Sequence, residues 1–269
     1  MAAAHAVAYD ICRGQSEMNG TAAARAALIT GAGRRIGAAV ARALAHDGYD
    51  VVLHVHHSRG EAEGVATEIA AAGGKASIVI ADLADAGALA GLVPAAAAFG
   101  PLTLLVNNAS MFEEDEIGTL DRAAFERTMA VNLTAPVFLA QAFAARAPAG
   151  ASIVNVVDQR VFKPTPRFFS YTLSKSALHS ATITLAQALA PKVRVNAVAP
   201  GPTLPSPRQS AEQFARQASS VPLGRGPTPE DIAAAVVYFA GATSVTGSVI
   251  AVDGGQHIAW RTLDSSGAE

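Results

Sequence analysis

Cysteine is almost absent from the 269-residue chain, with Cys12 standing alone. One thiol can make neither an intrachain disulfide nor a cysteine-based zinc site, a usage that fits a reducing, cytoplasmic compartment. Charge is also scarce, at 16% of residues, and it is balanced, with 20 Lys plus Arg against 22 Asp plus Glu for a net charge of −2. Without a basic block or an acidic tail, the electrostatic footprint of a nucleic-acid or anionic-membrane partner is missing, and the expected partner is a small molecule. Residues 1–24 lack the basic lead and clean apolar run of a signal peptide and include Asp10 and Glu17. They read as a disordered extension or an upstream choice of start site. The uncharged stretch 86–112 is long enough to span a bilayer. Gly87, Gly91, Pro94, Gly100 and Pro101 break it, however, and Asn107 and Asn108 would lie unpaired in lipid, so it reads as a helix, a turn and a buried strand.

What is abundant is apolar surface. Hydrophobic residues make up 51% of the chain, enough to bury roughly three-quarters of the unfolded surface and to exclude intrinsic disorder. From residue 26 onward, short β-branched runs (26–30, 50–55, 76–81, 102–107, 151–157, 192–198, 248–252) alternate with alanine-rich helical runs near 35–46, 61–72, 86–99, 121–146, 171–189 and 229–240. This alternation predicts βαβ units in one α/β domain over 25–262: a doubly wound, Rossmann-type, seven-stranded parallel sheet with helices on both faces, followed by a short tail at 263–269. The least regular stretch, 201–226, holds four prolines and one short helical pattern at 210–220. Loops of that length in a compact domain are usually lids or binding loops.

The sequence Thr30-Gly31-Ala32-Gly33-Arg34-Arg35-Ile36-Gly37 follows the first of these strands and opens a helix. Glycines there allow a tight turn and close approach of backbone to a phosphate, and the helix N-terminus holds the anion; the plainer reading is a strand-to-helix turn with incidental glycines. NAD enzymes usually place an acid at the end of the second strand, roughly 20 residues on. None occurs here. The strand runs instead into His54, Val55, His56, His57, Ser58 and Arg59, donors that suit a 2′-phosphate, with Arg34 and Arg35 adding charge from the neighbouring turn. NADPH/NADP+ is therefore the expected cofactor. A metal site made by the three histidines is the alternative, but no carboxylate follows them before Glu61, and no metal is expected.

The 151–157 strand leads to Asp158, and thirteen residues later come Tyr171 and, at i+4 on the same helix face, Lys175. An ammonium beside a phenol favours the phenolate and would lower the tyrosine pKa from about 10 by on the order of one to three units.

These pieces together resemble the short-chain dehydrogenase/reductase family over nearly all of residues 25–260. The matching residues are the TGAGRRIG turn, Asp82-Leu83, Asn107-Asn108-Ala109-Ser110, Asn132, Tyr171 with Lys175, Pro200-Gly201 and Val252-Asp253-Gly254-Gly255. The resemblance implies hydride transfer with NAD(P), Tyr171 as proton donor or acceptor, Lys175 on the nicotinamide ribose, and Asn132 positioning a proton-relaying water. Asp82, Leu83, Asn108, Ala109, Ser110, Pro200 and Gly201 would line the cofactor.

Three departures resemble the pteridine and dihydromonapterin reductase branch: Arg35 in place of the usual middle glycine, Ser110 in place of the usual NNAG glycine, and Asp158 in place of the catalytic serine. The branch implies that Arg35 contacts cofactor phosphate and that Ser110 lies near cofactor and pterin. It also implies that Asp158 works beside Tyr171 in protonating a ring nitrogen and that Phe112 sandwiches the pterin. Asp158 could instead be a strand-end cap or the ion-pair partner of Arg160, and Phe112 an ordinary wall residue. Gln159, Arg160, Phe168 and Phe169 border the site without a family counterpart. The expected function is reduction of a pterin or dihydrofolate-type C=N bond by a homotetramer. Alternatives are a carbonyl/alcohol oxidoreductase acting on a ketone or 3-oxoacyl substrate and a non-catalytic dinucleotide sensor, the latter disfavoured by intact Tyr171, Lys175 and Asn132.

Overall fold

The computed structural model of the chain describes residues 7–10, 25–206 and 208–260. Seven parallel strands form the body of one sheet: β2 (Ala26–Thr30), β3 (Asp50–Val55), β4 (Ala76–Ile80), β5 (Leu102–Asn107), β6 (Ala151–Val156), β7 (Val193–Pro200) and β8 (Val249–Val252), in the order β4-β3-β2-β5-β6-β7-β8. An eighth strand, β1 (Val7–Asp10), lies within the extension expected to be disordered and pairs antiparallel with β4. It takes up the backbone groups that the edge of β4 would otherwise leave open. The remainder of 1–24 and the tail at 263–269 lie outside the described residues.

Strand alternation divides the core. Ala27 and Ile29 of β2 join Val51, Leu53 and Val55 of β3 under α1 (Arg35–His46), α2 (Arg59–Ala71) and α8 (Pro229–Gly241). Ala26 and Leu28 face the opposite layer with Leu92 of α3 (Ala86–Ala97) and Leu139 and Phe143 of α5 (Ala135–Arg146). Stretch 86–112 folds as the anticipated helix, turn and strand.

The helix expected over 121–146 is interrupted. It runs as α4 (Arg122–Met129), widens into a π turn at Ala130–Thr134 and resumes as α5. Pro136 has no N–H to give to the carbonyl four residues back, that of Asn132, so regular α bonding fails there. By length and composition this run could cross a membrane, yet it packs within the protein against α3 and α6 (Phe169–Leu189). The 201–226 segment carries α7 (Ala211–Ser219), closed at its start by a reciprocal Ser210–Gln213 capping box and burying none of its residues.

Candidate active site

The chain reverses its direction of travel across the sheet between β2 and β5, and a cleft of about 1050 Å3 opens beyond the C-terminal strand ends. At one end lies the glycine turn. Thr30 Oγ1 accepts the N–H groups of Asn108 (2.9 Å) and Ala109 (3.0 Å), and Asn108 Nδ2 donates to the carbonyls of Thr30 (2.8 Å) and Gly31 (3.1 Å). Gly31 sits at a φ of +66°, and a Cβ on Gly37 would overlap Gly31 O and Asn108 Nδ2. The surface is bare backbone because no side chain fits. No capping side chain and no acid occupies the first turn of α1, which leaves its N–H groups for an anion, so the residues present fit a dinucleotide pyrophosphate. Arg34, Ile36, Leu83, Ala109, Pro200 and Gly201 line the cleft. Gly33 does not face it; it packs against Ser58 and Val55, where a side chain would collide with Ser58.

His54 is not the phosphate donor that the sequence suggested. It is buried, its Nδ1 accepts Gly31 N–H (3.4 Å), and its Nε2 lies 3.1 Å from Ala81 O, which fixes a neutral tautomer. Burial lowers its pKa to about 4, against smaller opposing contributions from Ala81 and Asp82. His54 ties the glycine turn to β3 and to the residue after β4. The candidate groups for a 2′-phosphate at the rim are Arg34, His56, His57 and Ser58. His56 stacks 3.5 Å from His57 and lies 3.8 Å from Asp82, and burial with the nearby His57 and Arg127 outweighs Asp82 in lowering its pKa. Burial notwithstanding, Ala84 N–H and Arg127 (3.1 Å) hold the Asp82 carboxyl below its ordinary range. Among the described residues, no group of His, Cys, Asp and Glu side chains converges as metal ligands.

At the chemical end, Tyr171 Oη donates to Asp158 Oδ2 at 2.8 Å. The same oxygen lies 3.3 Å from Arg160 Nη1, while Asp158 Oδ1 accepts Arg160 N–H at 2.8 Å and caps the short 3-10 turn Gln159–Val161. Asp158 is thus strand-end cap, ion-pair partner and tyrosine partner at once. Lys175 Nζ donates to Val156 O at 2.7 Å and lies 5.8 Å from the Tyr171 ring centroid. Burial, then the Asp158 charge and the hydrogen bond to it, hold Tyr171 well above its ordinary pKa, with Arg160 partly opposing. Burial brings Lys175 down to about 8, with Asp158 opposing.

Asn132 is fully buried in the π turn. Its Nδ2 donates to Met111 O (2.9 Å) and Ser174 Oγ (3.1 Å), and its Oδ1 accepts Met111 N–H (2.8 Å) with Ser110 Oγ at 3.3 Å. The carboxamide is spent on joining the segment after β5 to α6 and does not touch Tyr171 or Lys175. Phe112 stacks on Phe168 (4.4 Å between centroids, 5° between planes) and meets Tyr171 edge-on at 4.7 Å. Arg35 lines the cleft at the glycine turn, and its guanidinium donates to Pro205 O (2.9 Å) and Leu204 O (3.3 Å), holding the 201–226 segment.

Sequence reasoning missed Asp115. Its carboxylate accepts the Ser170 N–H (3.1 Å) and hydroxyl, and its carbonyl accepts Phe169 N–H (3.2 Å), so it closes the start of the helix that carries Tyr171 and Lys175. The available signal was the acidic run 113–116, whose neighbours Glu113 and Glu114 pair with Arg208 and Arg167. Arg127 and the α7 residues Gln213, Phe214 and Gln217, which also line the cleft, carried no comparable signal.

A family model described as enoyl-(acyl carrier protein) reductase, of the short-chain alcohol dehydrogenase class, matches residues 31–257. The chain belongs to the short-chain dehydrogenase/reductase family. An uncharacterized oxidoreductase of Methylorubrum extorquens is 39% identical over 242 residues, covering 86% of this chain and 97% of its own. The crystal structure of FolM alternative dihydrofolate reductase 1 from Brucella suis in complex with NADP is 51% identical with a TM-score of 0.86, covering 89% of this chain and 97% of that one. A galactitol 2-dehydrogenase (L-tagatose-forming) of Cereibacter sphaeroides is 35% identical over 241 residues, covering 85% and 93%. As a short-chain dehydrogenase/reductase, the protein is an oxidoreductase.

Proposed function

We propose that the protein is an NADPH-dependent reductase of a dihydropterin or dihydrofolate-type C=N bond. The observation that carries this reading is Asp158 Oδ2 at 2.8 Å from the Tyr171 phenol. A carbonyl substrate needs only a hydroxyl donor at its oxygen, whereas a ring nitrogen needs a proton delivered within an aromatic-walled slot, which a carboxylate and phenol pair serves. The NADP complex of the 51% identical dihydrofolate reductase supports both cofactor and substrate class, and the bare glycine turn and cationic rim suit the pyrophosphate and 2′-phosphate.

NADPH, when bound, supplies the hydride that the ring carbon takes up. Tyr171, held above its ordinary pKa, stays protonated at neutral pH and gives its proton to the ring nitrogen, so the C=N bond becomes CH–NH. Asp158 orients the phenol and passes on the replacement proton. Lys175 is placed for the nicotinamide ribose, Asn132 and Ser110 hold the β5 segment in place, and Phe112 with Phe168 accepts a flat ring. We place the enzyme in the cytoplasm as a homotetramer, assembled through α4, α5 and α6, where Phe138 and Ile183 are exposed.

The galactitol dehydrogenase relative favours a second reading, a carbonyl/alcohol oxidoreductase in which Tyr171 alone serves the substrate oxygen. The test is a turnover panel of dihydropterin, dihydrofolate, simple ketones, galactitol and a 3-oxoacyl thioester, each with NADPH or NADP+ as direction requires, alongside binding of NADPH and NADH. Pterin turnover well above that of ketones, with tighter NADPH binding, is expected. Ketones or polyols outperforming every pterin would replace this reading with the second.

A further inference from the structure

Arg160 follows β6 into the Tyr171 site, and its surroundings are unusual for a mere surface ion pair. Its side chain is 19% exposed. The guanidinium carbon lies 5.4 Å from the Phe112 ring centroid, 5.3 Å from Phe168 and 5.9 Å from Tyr171. Its Nη1 approaches the same carboxylate oxygen that accepts the phenol hydrogen bond. Its Nε is buried without a hydrogen-bond partner in the protein, so neither Asp158 nor the backbone saturates the group. Lys175, the cation expected to act on the phenol, is turned to Val156 O instead.

From this geometry we infer that Arg160 is a positioning residue for proton transfer: it supplies the positive charge that makes the Tyr171 phenol a usable acid, and it sets the Asp158 carboxylate and the Phe112 and Phe168 rings around it. A guanidinium fits because it can fork onto a carboxylate while lying against aromatic faces, and it keeps its charge at every working pH. Other charged groups near the phenol are few. On α6 there is Lys175, and Asp158 lies at the end of β6. The 113–115 segment brings Glu113, Glu114 and Asp115, neutralised by Arg208, Arg167 and the α6 N-terminus respectively. The direction of the Tyr171 shift agrees, since Arg160 is the group that opposes burial and Asp158 there.

The kinetic arm of the test rests on the reductase reading, but a second arm does not. Ultraviolet difference titration of the phenol, with the Tyr171→Phe protein as blank, compares Asp158→Asn with Asp158→Asn/Arg160→Gln. Removing the carboxylate takes away two of the causes that raise Tyr171 and brings its titration down. Adding Arg160→Gln is expected to move the midpoint up again, and Arg160→Lys to leave it near that of Asp158→Asn. An unmoved midpoint overturns the inference whatever the substrate. In turnover of the best substrate from the panel, Arg160→Gln is expected to lower kcat about 10- to 100-fold and to displace the alkaline limb of the pH profile upward, with Arg160→Lys restoring the limb. A fall in rate with an unchanged profile would reduce Arg160 to a packing residue. Should Arg160→Gln fail to fold, Arg160→Met retains the stem against the rings and replaces it in both arms. If no pterin is reduced yet the phenol midpoint responds to Arg160, the substrate assignment fails and the inference stands.

Discussion

The two ends of the cleft are built from different materials. The nucleotide end is backbone: glycines admit no Cβ, helix N–H groups are left uncapped, and a neutral histidine props the turn from below. The chemical end is side chain, with a phenol, a carboxylate and a guanidinium sharing one oxygen against a wall of aromatic rings. Backbone presents fixed partial charges and tolerates little change in residue type. Side chains present full charges whose balance can be altered one at a time. Substitutions at the chemical end should therefore alter rate with the fold intact, whereas disturbances at the nucleotide end should appear as stability and cofactor affinity together.

The largest effect expected is kinetic. Asp158→Ser should reduce pterin turnover by about 10²- to 10⁴-fold with cofactor affinity almost unchanged, and Tyr171→Phe should lose at least as much on pterins and carbonyls alike. Steady-state kinetics together with cofactor titration separate the two quantities. A parallel loss of NADPH binding would erase the distinction between the ends.

Acid should act on the opposite end. The folded-state pKa of His54, about 4, lies below the unfolded value of about 6.5. The fold thus favours the neutral ring, and this contribution is complete above pH 6.5 and is lost as pH falls towards 4, amounting to about 3 kcal/mol in all. Protonation also removes the acceptor for Gly31 N–H. Thermal unfolding and NADPH binding should both weaken over that interval, and the stability gap between wild type and His54→Gln should narrow as the pH drops.

A smaller loss is expected where the ends are joined. Asp115→Ala removes the cap of α6 and should cost about 1–2 kcal/mol, lowering Tm by a few degrees in a calorimetric scan and reducing kcat a few-fold, because Tyr171 sits in the first turn. Phe112→Ala should act on substrate alone, raising the KM for pterin a few-fold through lost ring stacking and leaving ketone KM nearly unchanged.

The contrast in materials also explains what could be read from the chain. β2, β3, β5 and α1 match their expected bounds, and the remaining parallel strands and helices differ by one or two residues, because alternation and glycine placement are local signals. The interrupted helix was legible in principle from Pro136, which cannot donate to Asn132. By contrast, β1 gave no sign of itself, since four residues owe their strand to the open edge of β4. At the site, Tyr171 and Lys175 lie on one helix face as their spacing implied, and Asp158 meets Tyr171 as the family resemblance implied. Two side chains turn elsewhere than expected: His54 props the glycine turn, and the Arg35 guanidinium ties down the 201–226 segment. Each depends on the direction in which a side chain leaves its element, and a one-dimensional pattern does not encode that.

The 201–226 segment is held at two places: by Arg35 from the glycine turn through Leu204 O and Pro205 O, and by its own Arg208 to Phe112 O (2.5 Å) and Glu113 (2.9 Å). Lifting it off the cleft would break both ties, so the glycine turn and the aromatic wall would be uncovered in one mechanical step.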